Sequence, residues 1–176
     1  PVGSLGDYDN SWSKVLSNSI YESLEAGALL DENATPKDVI TEAATSDDGV
    51  DITFRRVLTK DRWNSLVIPF AMTADEVEKA FGEGTKVAKL KSSATGKVTF
   101  VVQQTNDIEA NVPVLVMATK DVSEEYLKGK MVNDDNAEIV QGDARFVGTY
   151  TKLTGNLGAN TYFLSDGELI PTSHMG

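Results

Sequence analysis

The chain has no cysteine and a single histidine, His174. The first absence excludes a disulfide framework, a thiolate metal centre and a cysteine nucleophile. It does not choose a compartment, because secreted bacterial and cytosolic chains both do without disulfides. The second absence bears on catalysis. A Ser/His/Asp triad would have to use His174, third from the end of the chain, whereas such chemistry needs a base held rigidly by a third group. His174 is expected to be an exposed terminal residue. No apolar run approaches the ~18 residues that a membrane-spanning helix requires. No basic patch interleaved with aromatic residues occurs either. With a formal charge of −11, the surface repels a phosphate backbone, and nucleic acid is not an expected partner. Neither a basic n-region nor an apolar h-region follows Pro1, so the chain reads as an excised or processed piece of a longer protein. Gly3-Ser4 and Ser173-His174-Met175-Gly176 read as native or vector-derived ends, with native favoured for the second.

The acidic charge that is present is unevenly placed. Residues 1–49 carry ten Asp or Glu against Lys14 and Lys37, and the remainder is close to balance. This N-terminal part has scattered apolar positions at Trp12, Val15, Leu16, Ile20, Tyr21 and Leu24, compatible with a short helix or strand within 12–30. Residues 31–48, with Pro36 and the run Thr45-Ser46-Asp47-Asp48-Gly49, read as linker. The expected division is an acidic extension at 1–48 and a β-sandwich domain at 49–176.

From Val50 the apolar period becomes two, the mark of strands with one buried face. Strands are predicted at Val50–Leu58, Trp63–Ile68, Lys86–Leu90, Val98–Val102 and Val114–Ala118. A later group follows at Glu138–Val140, Ala144–Thr151, Thr161–Leu164 and Glu168–Ile170. Gly142-Asp143 separates two of these runs, and Asp166-Gly167 supplies a strong local hairpin signal between two more. Val122–Val132 is ambiguous between a strand and a short helix at Ser123–Leu127. The clearest helix lies at about 73–82. Thr73 stands at the N-cap with Glu76 three residues on, the capping-box spacing. Val77, Ala80 and Phe81 form one stripe, and Gly82 is expected to end the helix in the left-handed conformation. Short strands with one capped helix predict a mainly β fold, a β-sandwich or jelly-roll-like domain. The expected core is Ile52, Phe54, Leu66, Ile68, Phe81, Phe100, Val102, Leu115, Phe146 and Leu164.

Several segments, in this order, resemble a β-rich domain common in large secreted and surface proteins of Bacteroidota. They are Leu30–Thr35, Val50–Leu58, Trp63–Met72, the helix end Ala80-Phe81-Gly82, Ile108–Pro113, Phe146–Tyr150 and Tyr162–Ser165. The resemblance covers about residues 30–176. It implies an extracellular or cell-surface setting beside other modules, an adhesin-like part with no known catalysis, and it carries no functional residues. In that family a further Arg-Ala-aromatic strand usually follows the position of Met175-Gly176. Either the chain is cut short at that point or the strand is missing; a missing strand would leave an open sheet edge through which the protein self-associates, with residues 12–30 as another candidate to fill it.

The motifs offer little chemistry. Asp7-Tyr8-Asp9-Asn10-Ser11 begins like a calcium loop, but Trp12 and Asn18 occupy the positions that need Gly and a bidentate acid. Asp134-Asp135-Asn136 and Asp47-Asp48 read as solvated turns rather than cation ligands. Gly155-Asn156-Leu157-Gly158 and Gly82-Glu83-Gly84 lack the lysine and strand-to-helix setting of a phosphate cradle. Carboxylates are too plentiful to nominate a glycosidase pair. Trp63 is either a core anchor or a sugar-stacking platform, with the anchor favoured; Tyr150, Tyr162 and Trp12 pose the same choice. No catalytic, cofactor-binding or metal-binding residue is therefore expected. The leading expectation is a non-catalytic structural or adhesive module with a protein or glycan ligand. The alternative is an accessory carbohydrate-binding domain of a secreted glycan-degrading protein.

Overall fold

The computed structural model describes residues 27–32, 37–94, 97–150, 157–165 and 168–174. It is mainly β, with antiparallel sheets in a sandwich-like arrangement. One sheet holds β1 (Gly27–Asp31), β2 (Val50–Arg55) and β7 (Glu125–Lys130) in that order. The other has the order β3 (Trp63–Leu66), β6 (Val114–Met117), β4 (Lys86–Ala94) and β5 (Lys97–Val102). Two hairpins follow, β8 (Glu138–Gln141) with β9 (Ala144–Val147), and β10 (Tyr162–Ser165) with β11 (Glu168–Pro171).

The described residues of the stretch expected to be linker belong to the fold. β1 and β2 are parallel, and parallel neighbours need a crossover connection rather than a tight turn. Helix α1 (Lys37–Ala43) lies within that crossover. Ile40 is 1% exposed and joins the core with Leu30 of β1. The core thus begins upstream of Gly49, and the capped helix is one of two α-helices among the described residues. Most of the 12–30 segment expected to pack on the domain, residues 12–26, lies outside the described residues; its end forms β1.

The second helix, α2 (Ala74–Phe81), follows its sequence closely. The Thr73 hydroxyl accepts from the Glu76 N–H, and the Glu76 carboxylate accepts from the Thr73 N–H at 2.9 Å, completing the capping box. Val77, Ala80 and Phe81 are buried on one stripe. The end of the helix differs from expectation. Gly82 has φ 104° and ψ 150°, a positive-φ conformation outside the left-handed helical region. A Cβ there would lie 2.1 Å from Thr119 Oγ1. Glycine is needed both for the dihedral and for the close approach.

Between the two sheets lies the main core, made of Ile52, Phe54 and Leu127 from one side, Leu66, Val87, Val114 and Val116 from the other, with α2 and Ile40 closing it. Five of the ten expected core residues (Ile52, Phe54, Leu66, Ile68 and Phe81) are buried there. The rest mark the opposite face of the four-stranded sheet. In β6, Val114 and Val116 point into the core, whereas Leu115 faces the other way and is half-buried. Phe100, Phe146 and Leu164 are also half-buried, and Val102, on edge strand β5, is 47% exposed. This second face is covered more thinly. Phe146 of β9 meets Phe100 edge-on, with ring centres 5.5 Å apart. Gly148 passes so close to Val67 that a Cβ would sit 2.6 Å from its methyl carbon. A sheet covered on both sides reads as a continuous apolar run, as Val114-Leu115-Val116-Met117 does.

Two bulges aim particular side chains. In β4 the register shifts between Leu90 and Ser92, which moves Ser93 onto the Phe100 face. Its Oγ there donates to Gln141 O at 2.7 Å and accepts from the N–H groups of Asp143 and Ala144, fastening the β8–β9 turn. Within that turn Gly142 has φ 60°, matching the glycine-first two-residue hairpin. Between β2 and β7 the ladder shifts from Ile52–Leu127 to Val50–Lys130, with Gly129 at φ 58° taking the extra position. Lys130 thereby turns toward the core, 8% exposed, where its ammonium meets Glu76 and the Ala71 carbonyl. The ambiguous 122–132 region is accordingly a strand rather than a helix.

Candidate binding site

A shallow hollow of about 250 Å³ lies where β2 passes into β3. Arg56, Val57, Thr59, Arg62, Trp63, Asn64, Ser65 and Leu164 line it. The connecting loop is held by its own side chains. Asn64 Nδ2 donates to the carbonyls of Thr59 (3.0 Å) and Arg62 (2.8 Å), and Asn64 Oδ1 accepts from the Thr59 N–H at 3.0 Å. Asp61 takes φ 58°, which an aspartate tolerates better than most residues, and its N–H donates to Ala118 O at 2.9 Å. The Lys60 N–H donates to Asp121 Oδ1, and Leu58 exchanges both backbone hydrogen bonds with Val122. The wall is thus tied to the strands at several points.

Arg56 spans the floor of this corner. Its Nη1 donates to Glu32 Oε2 at 2.7 Å and its Nη2 to Ser65 O at 2.9 Å. The other Glu32 oxygen accepts from the Val57 N–H at 3.0 Å. Arg56 Nε is the one buried side-chain polar atom without a protein partner among the described residues. Trp63, half-buried, belongs to this hollow and not to the main core cluster, against the expected core anchor.

A second hollow, of about 190 Å³, is bounded by Lys37, Ile40, Asp134, Asp135, Asn136 and Tyr150, among others. Asp134–Asn136 form the exposed rim, with the Asp135 N–H donating to Asn133 Oδ1 at 2.8 Å. Tyr150 is half-buried beside the core; its hydroxyl donates to Asn111 Oδ1, and burial pushes the phenol above its ordinary range. Asn111, 7% exposed, also donates to Asn133 O at 3.1 Å. This polar group is a joint between loops.

Other shifted groups have structural partners too. Asp51 is held below the usual carboxylate range, first by the Tyr126 hydroxyl and then by the Gly129 N–H. Asp107 is lowered chiefly by the Thr105 hydroxyl. For Glu76, burial opposes the charge, but Lys130 and the Thr73 cap outweigh it and the net shift is downward.

The other sequence candidates are scattered. Asp47 and Asp48 are exposed, as is Tyr162 on β10. Gly82-Glu83-Gly84 follows α2 and packs against Thr119. His174 ends a short 3-10 turn, Thr172–His174. Trp12, Asp7–Ser11, Gly155 and Asn156 lie outside the described residues. Among the described residues, no three His, Cys, Asp or Glu side chains converge on a point that could hold a metal ion. No helix of the described residues is long and apolar enough to cross a membrane. The Arg56–Trp63 hollow was not anticipated, although three of the four arginines fall within residues 55–62. Compared with protein-family models, curated proteins and solved structures, the chain matches none.

Proposed function

We propose that this chain is a non-catalytic module of a bacterial cell-surface or secreted protein, with a structural and adhesive role. The observation that carries the reading is how the perturbed ionisable groups are used. Asp51, Glu76 and Asp107 each brace a bulge, a helix cap or a turn, whereas a catalytic acid or base would face a substrate space. The resemblance of the Val50–Leu58 and Trp63–Met72 segments to surface modules supports the same setting. Labelling intact cells of the source bacterium with antibodies against the chain is the test. Signal on unpermeabilised cells or in the medium is expected; signal only after lysis contradicts the reading.

A second reading, an accessory carbohydrate-binding domain, is favoured by the hollow that gathers Arg56, Arg62, Trp63, Thr59 and Ser65. The lining of this hollow is almost wholly polar, which suits a hydroxyl-rich ligand such as a sugar better than an apolar one. A glycan array with the purified chain separates the two readings.

A further inference from the structure

We infer that the outer edge of β5 pairs with β5 of a second copy of this chain, joining two four-stranded sheets into one. Among the described residues β4 is the one strand partner of β5. Every second N–H and C=O on the other side of β5 is therefore left to solvent. The other edges of the two main sheets differ. On β3, the Ser65 carbonyl already accepts from Arg56. β7 carries Glu125, Lys128, Lys130 and the bulge at Gly129, charges and a kink of the kind that discourage pairing. β1 exposes one large apolar residue, Leu29. β5 exposes three, Val98, Val101 and Val102. Its single charge, Lys97, stands at its first position, and Val98–Val102 holds no charge, glycine or proline.

The occupant follows from the pattern of that run. Val98, Phe100 and Val102 alternate onto one face, the face on which Phe100 meets Phe146. An antiparallel pair with its two-fold axis at Phe100 sets Val98 opposite the partner's Val102, and Thr99 opposite the partner's Val101. Val98 and Val102, 42% and 47% exposed, then cover each other as β-branched cross-strand pairs on either side of the two Phe100 rings. The same register sets Lys97 opposite the partner's Gln103 and keeps the two Lys97 residues about 20 Å apart along the strands. No like charges meet directly. A contact of one short strand per copy lies at the small end of specific interfaces, so a weak dimer is expected, with a dissociation constant on the order of 10–100 μM. The pairing does not depend on what the module adheres to.

The test is sedimentation velocity and light scattering of the full chain between about 10 μM and 1 mM. The average mass is expected to rise from that of one chain toward that of two. The double variant Val98→Lys/Val102→Lys sets lysines opposite each other and is expected to lose tenfold or more in association. Val98→Glu/Val102→Lys is expected to associate at least tenfold more strongly than the double lysine variant, because the two-fold register sets each glutamate against a lysine of the other copy. Both positions are exposed, so the melting temperatures of dilute samples are expected to match the parent's; if the double lysine variant melts early, the glutamate–lysine variant against the parent decides, with association retained. A chain that stays monomeric to 1 mM overturns the inference. So does association that the double lysine substitution leaves unchanged, or that the glutamate–lysine variant loses as fully as the double lysine one. Association that weakens as salt is raised also overturns it, because opposite charges would then hold the copies together.

Discussion

The two faces of the four-stranded sheet are built to different standards. One face is sealed by a second sheet and α2, and Ile68, Phe70, Val77, Phe81, Val87, Val114 and Val116 there are all 0% exposed. The other is covered by two short hairpins; Trp63 and Phe100 on the sheet, and Phe146 and Leu164 on the hairpins, all stay half-buried. Both faces draw on the same strands, so strand propensity does not account for the contrast. What differs is the cover. A sheet and a helix supply wide apolar surfaces, whereas a hairpin offers about one inward residue in two along four-residue strands. The first face therefore holds most of the stability, and the second is free to carry exposed features such as the hollow beside Trp63.

Substitutions probe this contrast. Phe81→Ala empties a fully buried aromatic site and is expected to cost about 3–5 kcal/mol. An unchanged denaturant midpoint would mean that α2 does not pack on the sheet. Next in size is Lys130→Met, which leaves the Glu76 carboxylate and Ala71 O without their partner, at about 1–3 kcal/mol. The same pair sets an acid-side dependence. Glu76 has a native pKa below its ordinary value of 4.5, so its stabilisation is complete above that value. It is lost as pH falls through the depressed native pKa. Urea unfolding of Glu76→Gln against the parent, from neutral to strongly acid pH, is expected to show the difference shrinking on acidification; a difference that stays constant would break the assignment.

On the thin face, Phe146→Ala is expected to cost about 1–2 kcal/mol, from one edge-on ring contact and partial burial. A loss as large as that of Phe81→Ala would erase the distinction between the faces. Smallest is Thr73→Ala, about 1 kcal/mol for a removed N-cap. A melting temperature equal to the parent's would place the start of α2 elsewhere.

Legibility in the sequence followed the same divide. Thr73, Glu76 and the Val77–Phe81 stripe could be read because cap and stripe are local. Ile52, Phe54, Leu66 and Ile68 could be read because their strands alternate against one dominant face. Leu115 and Val102 were misplaced because β6 is apolar on both faces, and β5 is an edge whose apolar residues reach the surface. Helix α1 was hidden by acidic composition. It is only seven residues long, too short to stand alone, and exists because a parallel β1–β2 pair needs a crossover and Ile40 has a core to enter. Lys130 could not be placed from its sequence because a bulge at Gly129 reverses its facing. The hollow was hidden in a different way: Arg56, Arg62 and Trp63 come together only when the loop folds back on Asn64. The cluster of arginines was the available signal.

Amide hydrogen exchange measured under native conditions tests the unequal faces most directly. The account predicts that amides of β2, β4 and β6 exchange only through global unfolding, while those of β8, β9, β10 and β11 exchange through local opening at clearly lower free energy. Hairpin amides protected to the same limit as β6 would contradict it.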